Sequence, residues 1–273
     1  MFVDRFYRGW LLTQTSARIL WSDTRLVLFT LLSTACTLVA AGIILAPIVT
    51  ALHDPNRPYT GLPVERLLIL YLATSFVSLF FNTALIALVL ERLNGGKLGF
   101  EHGLWVAVDN ILTILALALI SATVGLAIRT IGRRLRLAGL LAGLLFGATW
   151  EIATFLIVPV IVAEGGDPFS VLGRSVALVH RVWGEEVSSN VGIGLVGALF
   201  ALPAVVIGLR GLFSTDHTQA LACLGIAAVY LALLGLIVGT LNQIVRAAVY
   251  YYAQTGEVPP GFDGGAMGKA MGR

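Results

Sequence analysis

Glu151 is the residue whose type and setting most strongly indicate chemistry. It follows Trp150 inside a long apolar run, and an ionisable group within a membrane span is costly enough to be a candidate for function. A carboxyl group there could carry a proton or bind a substrate. Alternatively, it could be hydrogen-bonded to a neighbouring helix, for which the Asn82 amide is one candidate, or it could reach a water-filled cleft.

A second group of polar residues lies at the ends of two other apolar runs. Asp109 and Asn110 precede one run, and Asn242, Gln243 and Arg246 end another. An ion pair between Asp109 and Arg246 would hold the two segments together. Separately solvated side chains at the membrane surface are the alternative, because charged residues commonly anchor the ends of spans.

Residue sets for familiar catalytic or metal chemistry do not occur in the sequence. The two cysteines and four histidines lie singly, without the spacing of a metal site. A Gly-x-Gly-x-x-Gly spacing begins at Gly192, but it lies in an apolar run with no preceding strand. The sequence therefore predicts a protein that is not an enzyme and that holds no metal or cofactor.

The composition of the chain is very apolar, and it indicates what kind of protein must position these residues. Of the 273 residues 58% are apolar and 12% charged, and the mean hydropathy is +0.90. Soluble domains carry about 25% charged residues, so a soluble enzyme, a disordered chain and a secreted disulfide scaffold are excluded. The net charge is +3, but the basic residues lie at the ends of apolar runs, so nucleic acid is not an expected partner.

Six apolar runs are long enough to cross a bilayer as helices, since a span needs about 20 apolar residues. They lack the alternating pattern of a transmembrane barrel. The predicted spans are 26–52, 67–90, 111–131, 137–162, 191–209 and 220–245. Together they predict an all-α polytopic fold, with one transmembrane domain over residues 1–255 and a flexible tail over 256–273.

The distribution of basic residues predicts an orientation. If the spans alternate, eleven of the 18 lysine and arginine residues fall on the side that holds both termini. Positive residues favour the cytoplasmic side, so both termini are predicted to be cytoplasmic in a multi-pass inner-membrane protein. The four arginines between 129 and 136 lie on the other side and oppose this orientation.

Three connections predict amphipathic helices that lie along the membrane surface, at 2–21, 100–109 and 168–183. In the third helix, Asp167 is a predicted N-cap after Gly165 and Gly166. Its apolar stripe runs through Phe169, Leu172, Val176, Val179 and Trp183. The residues predicted to meet anionic lipid headgroups are Arg5, Arg8, Trp10, Arg18, Arg174, Arg181 and Trp183.

Glycines four residues apart predict close packing between helices, because they let two backbones approach. They are Gly139, Gly143 and Gly147 in the fourth run and Gly235 and Gly239 in the sixth. Pro159 and Pro203 lie inside the fourth and fifth runs, where each could kink its helix or be accommodated by neighbouring helices.

The order of the elements fits a threefold repeat. Each predicted surface helix precedes two spans, and the motifs Phe6-x-x-Gly9, Phe100-x-x-Gly103 and Phe169-x-x-x-Gly173 open the three units. Such repeats occur in transporters and also in membrane proteins with no transport role, so the layout does not decide the function.

Two stretches resemble a known family. The motif Trp150-x-x-Ala153-Thr154-Phe155-x-x-x-Pro159, followed by Glu164, Ser175 and Trp183-Gly184-Glu185, is similar to a bacterial and archaeal six-span family of unknown function. The ending Tyr250-Tyr251-Tyr252-Ala253-x-Thr255-Gly256-Glu257 fits the same group. The layout is more distantly similar to the membrane domain attached to some glycerophosphodiester phosphodiesterases. The resemblance implies fold and location but no catalytic residues, and it implies a small polar residue where this chain has Glu151.

These observations predict a non-enzymatic helical bundle that binds anionic membrane lipids or docks a partner. The partner would be a second copy of this chain or another membrane or cytoplasmic protein. The alternative is a small-solute or ion transporter or channel that uses Glu151 within the membrane. A polar cavity reaching Glu151 would favour transport, whereas a dry, closed bundle would favour the binding role.

Overall fold

The computed structural model describes residues 14, 16–21, 25–52, 64–96, 99–134, 136–182, 188–214 and 216–260. This part of the chain is almost entirely helical and contains no strand, so the predicted all-α fold is confirmed. Its longer helices are α1 (Arg25–Leu52), α2 (Val64–Leu93), α3 (Phe100–Asp109), α4 (Ile111–Arg134), α5 (Arg136–Ala153), α6 (Ile157–Ala163), α7 (Pro168–Val182), α8 (Ser188–Leu212) and α9 (His217–Thr255).

Several helices are long and apolar enough to cross a membrane. In the described part of the chain five segments qualify: Arg25–Ala46, Val64–Leu93, Ile111–Thr130, Leu145–Ala163 and His217–Thr255. Large apolar side chains lie exposed along them, such as Leu38 at 67% and Ile43 at 69%. Lipid is the solvent that such a surface requires, so the protein is membrane-embedded.

The number of spans is not fixed by these helices. The predicted fifth span, 191–209, lies on α8. The apolar segment of α8 that qualifies among the described residues, Val196–Leu212, is shorter than the five spans. A count of six therefore stays a prediction.

The chain divides into two compact units, one from Phe29 to Arg181 and one made of 1–28 and 182–273. In the first unit α2 packs against α3, α4 and α6. The segment of α2 from Thr83 to Leu90 is buried. Phe29 of α1 stacks on Phe100 of α3 with the ring centroids 4.2 Å apart, which adds an aromatic contact to this packing.

Helices α2 and α3 meet at Gly103, where the backbones are too close for a larger residue. A Cβ built on Gly103 would collide with the carbonyl oxygen of Ala84 and would crowd the side chain of Leu88. Glycine is therefore required at this position for α3 to reach the buried segment of α2.

The fourth predicted span is interrupted rather than kinked. Between α5 and α6 the chain leaves the α-helix at Thr154, Phe155 and Leu156. The Thr154 hydroxyl donates to the Trp150 carbonyl at 2.8 Å, a type of bond that bends helices. Pro159 has no N–H to continue the helical ladder, so it is accommodated in the first turn of the new helix α6.

Helix α7 stabilises this break. The buried hydroxyl of Ser175 donates to the Ala153 carbonyl at 2.8 Å. Ala153 ends α5, and the N–H of Ile157 donates to Thr154 instead, so Ser175 satisfies a carbonyl that the break leaves without a helical partner. The capping therefore couples α7 to the end of α5.

The turn before α7 follows the local sequence signals. Gly165 and Gly166 have φ of +62° and +107°, in the left-handed region that favours glycine. The Asp167 carboxylate accepts from the N–H groups of Phe169 and Ser170 at 3.1 and 3.0 Å, so the predicted N-cap is confirmed. These bonds, foremost the one from the Ser170 N–H, hold the pKa of Asp167 below its usual value.

The buried face of α7 differs from the predicted apolar stripe. Val171, Ser175 and Leu178 are buried, whereas Phe169 is 75% exposed. Of the stripe residues that the structure describes, Val179 alone is buried. Ser175 bonds to α5 from the buried face, and contact of the stripe with the membrane surface stays a prediction.

In the second unit α8 and α9 pack against each other. The Tyr230 hydroxyl donates to the Phe200 carbonyl at 2.9 Å, and α8 continues through Pro203 without interruption. Helix α9 has 39 residues, which is about 58 Å at about 1.5 Å per residue and exceeds the roughly 30 Å hydrocarbon core. It ends at Gly256, whose φ is +73°.

Candidate functional site

A groove lined by hydroxyl groups lies within the unit Phe29–Arg181 and has a volume of about 540 Å³. Its lining comes from α1, α2 and α4: Ser33, Thr34, Thr37, Leu38, Thr74, Ser75, Ser78, Leu79 and Ser121. Seven of these nine residues carry a hydroxyl group. The volume is in the range of small-molecule sites, about 300–1,000 Å³, so the groove can hold the polar part of a ligand.

The same residue spacing builds the two main walls of the groove. On α1 the sequence is Ser33-Thr34-x-x-Thr37, and on α2 it is Thr74-Ser75-x-x-Ser78. In a helix, residues i and i+4 lie one turn apart on the same face, and residue i+1 lies beside them. Each motif therefore places its three hydroxyl groups on one side of its helix.

The groove lies at the middle of the membrane-spanning segments. Ser121 is about 15 Å from the start of the segment Ile111–Thr130 at a rise of about 1.5 Å per residue, which is half of a roughly 30 Å hydrocarbon core. Thr37 and Ser78 are likewise near the centres of Arg25–Ala46 and Val64–Leu93. The polar lining is therefore at membrane depth and not at the aqueous surface.

Only some of the hydroxyl groups are hydrogen-bonded. Thr34 donates to the Thr30 carbonyl at 2.8 Å and Thr74 to the Leu70 carbonyl at 2.7 Å. The hydroxyl groups of Ser33, Thr37, Ser75 and Ser121 make no hydrogen bond with any residue that the structure describes. Unpaired hydroxyl groups in an apolar environment cost free energy, so these four groups favour a polar occupant of the groove.

Asn82 orients one of the lining residues. Its Nδ2 donates to the Ser78 hydroxyl oxygen at 3.2 Å, which leaves the Ser78 hydrogen able to donate elsewhere. The lining contains neither an acidic nor a basic side chain that could activate a serine as a nucleophile. The arrangement can bind through hydrogen bonds, and its own residues supply no general base.

Glu151 lies apart from this groove. Its side chain is exposed on α5 and makes no hydrogen bond or ion pair with a residue that the structure describes. The neighbouring Trp150 lines a separate apolar pocket of about 280 Å³ between α4 and α5. The polar groove therefore does not include the predicted intramembrane carboxylate.

The remaining predicted polar residues have separate positions. Asp109 is exposed at the end of α3, and Arg246 is half-buried on α9. Their pairing stays a prediction. Arg174 is engaged within the protein, because its Nε donates to both carboxylate oxygens of Glu164 at 3.0 Å.

The predicted lipid-facing set is described in part. Arg18 and Arg181 have exposed side chains. Arg5, Arg8, Trp10 and Trp183 lie outside the described residues. Contact of this set with lipid headgroups stays a prediction.

The glycines that were predicted to pack helices are not at the positions where the structure brings helix backbones close together. A Cβ on Gly147 or Gly235 would have no neighbour within 4 Å, so neither marks a close approach among the described residues. Gly239 is half-buried on α9, and the surroundings of Gly139 and Gly143 lie outside the described part of the chain. The tight approach at Gly103 lies outside the glycines predicted to pack helices, although Gly103 belongs to the repeat motif Phe100-x-x-Gly103.

The groove was not predicted from the sequence, because charged residues within the spans were considered and hydroxyl groups were not. Serine and threonine are common in membrane helices, where their hydroxyl groups can bond to the backbone one turn earlier. The signal that could have located the groove is the repeated i, i+1, i+4 hydroxyl spacing in two spans that are neighbours in sequence.

Several residues that carry the family resemblance form the ends of helices. Thr154, Pro159 and Ser175 shape and cap the break between α5 and α6. At the end of α9 the Gly256 N–H donates to the Tyr252 carbonyl at 2.8 Å. These residues act on the scaffold, and none of them lines the groove.

Comparison with known proteins supports the resemblance to a family of unknown function. A model described as "Family of unknown function (DUF6159)" matches residues 63–261. The comparisons give no support to the similarity with the phosphodiesterase-linked membrane domain, and neither the curated proteins nor the solved structures gave a match. Because the matched stretch covers well over half of the chain, the protein belongs to the DUF6159 family, whose function is unknown.

Proposed function

We propose that this protein is a non-enzymatic integral membrane protein that binds a membrane lipid, with the polar part of the lipid in the hydroxyl-lined groove. The main observation behind the proposal is the set of four hydroxyl groups at membrane depth that have no hydrogen-bond partner among the described residues. A polar ligand would satisfy these groups where water is scarce. The role is one of binding, since the lining offers hydrogen bonds but no acid or base.

The accessibility of the groove favours a lipid over a solute that enters from water. Thr34, Leu38 and Ser78 of the lining are exposed, so the groove is open to the surroundings of the helices at mid-membrane depth. Leu38 and Leu79 give it an apolar border along which acyl chains can lie. A ligand with a polar head and apolar tails matches this combination.

The proposed location is the inner cell membrane with both termini in the cytoplasm. The excess of basic residues on that side supports this orientation. Exposed Arg18 and Arg181 also suit contact with anionic headgroups at the cytoplasmic surface.

Photo-crosslinking tests the proposed function. The full chain would be reconstituted in nanodiscs with lipids that carry a diazirine in one acyl chain: a diacylglycerol, a phosphatidic acid and a phosphatidylglycerol. We expect at least one lipid to label α1 and α2 saturably near Leu38 and Leu79. The double variant Thr37→Val with Ser75→Ala should reduce this labelling by about tenfold, because it removes roughly two hydrogen bonds.

Thr123→Val is the matched control for this experiment. Thr123 lies on α4, and its hydroxyl donates to the Ile120 carbonyl at 2.7 Å, but it does not line the groove. Its substitution should leave labelling unchanged. Labelling that is spread evenly over the exposed spans, and that the double variant does not alter, would refute the proposed function.

Transport of a small solute or ion is the second candidate. It is favoured by the exposed carboxylate of Glu151 on a membrane-spanning helix, without a partner among the described residues. This route would be separate from the groove, because Glu151 is not part of the lining.

A further inference from the structure

We propose that the groove selects an uncharged glycerolipid with a free hydroxyl group, such as a diacylglycerol, over a lipid whose headgroup carries a phosphate. This inference rests on the proposed function and names the ligand class of the same site. It follows from the charge, the hydrogen-bonding capacity and the depth of the lining.

The lining offers no charge to compensate an ionised headgroup. All seven polar lining residues are serine or threonine, and the other two are leucine. A phosphate at this depth would lose its hydration and gain only neutral hydrogen bonds, whereas buried ions in proteins are normally paired with an opposite charge. An uncharged headgroup avoids this cost.

Charged residues on the three helices are distant from the groove along the helix axes. On α2 the nearest to Thr74 is Arg66, roughly 12 Å away at about 1.5 Å per residue. On α4 the nearest described charged side chain to Ser121 is Arg129, also roughly 12 Å away. On α1 Arg25 precedes Ser33 by a similar distance. These cations mark the ends of the spans and do not enter the lining.

The hydrogen bonds already present define what the ligand must provide. The hydroxyl hydrogens of Thr34 and Thr74 are used by carbonyl groups of their own helices, so their oxygens can only accept. Ser78 accepts from Asn82 and is left as a donor. The remaining four hydroxyl groups can do both.

A headgroup that both donates and accepts therefore matches the lining best. The free hydroxyl of a diacylglycerol can donate to the Thr34 or Thr74 oxygen, and its ester carbonyls can accept from serine hydroxyls. A fully esterified lipid without a donor would leave the acceptor oxygens unused. The two acyl chains would extend past Leu38 and Leu79 into the bilayer.

Competition binding tests the selectivity. The full chain in phosphatidylcholine nanodiscs would be labelled with the diazirine-bearing diacylglycerol while an unlabelled competitor is added. The competitors are dioleoylglycerol, dioleoyl phosphatidic acid and free glycerol, of which the first two differ only in the phosphate. We expect dioleoylglycerol to halve labelling of α1 and α2 at a mole fraction about tenfold lower than phosphatidic acid.

Each outcome of this competition decides the inference. The inference is supported if dioleoylglycerol competes preferentially in the wild type and in Thr123→Val but not in the Thr37→Val and Ser75→Ala double variant. Equal or stronger competition by phosphatidic acid overturns the selectivity while the lipid-binding function stands. Competition by free glycerol at millimolar concentration overturns it in favour of a soluble polyol. Absence of saturable labelling by any lipid refutes the proposed function itself.

Discussion

Replacing Ser175 with alanine should destabilise the protein through the break between α5 and α6. The Ser175 hydroxyl is fully buried and donates to the Ala153 carbonyl at 2.8 Å. The Ile157 N–H donates to Thr154 instead, and no other residue that the structure describes donates to the Ala153 carbonyl. The Ser175→Ala variant would therefore leave a carbonyl of the broken helix without this partner in a part-buried setting.

The expected loss is about 1–3 kcal/mol of unfolding free energy, the cost of a buried polar group left unsatisfied. For a loss near the middle of that range, the apparent Tm should fall by roughly 4–8 °C in a chain of this size. Thermal unfolding of the purified protein in detergent, followed by circular dichroism at several protein concentrations, would measure the change.

Ser170→Ala is the matched control for this substitution. Ser170 lies on the same helix and its hydroxyl also donates over 2.8 Å, to the Asp167 carbonyl, but this bond is exposed. Water can replace an exposed partner, so the control should change stability by no more than about 0.5 kcal/mol. Equal Tm values for the Ser175 and Ser170 variants would show that burial of the bond does not determine its contribution.

Three further predictions test other parts of the structure. Gly103→Ala should lower the unfolding free energy by about 1–3 kcal/mol, because the added methyl group meets the α2 backbone. Gly173→Ala on α7 is the control: a Cβ there has open space, so this variant should not be destabilised in the same melting assay. The hydrogen bonds to Asp167, foremost from the Ser170 N–H, lower its pKa from 3.8. They therefore stabilise the folded protein above pH 3.8, and this stabilisation is lost as the pH falls through the lower pKa of the folded state. Asp167→Asn should accordingly show a smaller acid-induced fall in Tm than the wild type. If Glu151 carries protons or a solute, Glu151→Gln should alter a pH-dependent flux in proteoliposomes; identical proton fluxes in the two proteins would remove the transport candidate.

Local signals in the sequence were sufficient for the features that depend on a few neighbouring residues. The cap at Asp167 and the left-handed glycines before it follow from residue types at adjacent positions. The all-helical membrane fold follows from long apolar runs, because lipid leaves the backbone few other ways to satisfy its hydrogen bonds.

Features that depend on a neighbouring helix were not predicted. The apolar stripe of α7 predicted a helix along the membrane surface, but it did not show that Ser175, on another face, bonds to Ala153 of α5. The groove is lined by residues of α1, α2 and α4, and the hydroxyl spacing on one helix does not show which other helices complete the lining. The tight contact at Gly103 likewise depends on the position of Ala84 across the interface.

Stability and ligand binding should be separable in this protein, because different residues carry them. The break and its capping residues lie within the stretch 63–261 that the family model matches, while the α1 wall of the groove, with Ser33 and Thr37, precedes it. The hydroxyl groups of Ser33 and Thr37 make no bond to another described helix, so replacing them with alanine and valine should leave Tm nearly unchanged and remove lipid labelling. Ser175→Ala should do the reverse, lowering Tm while the groove still binds. A lipid preference set by α1 would then be a property of this chain that membership of the family does not imply.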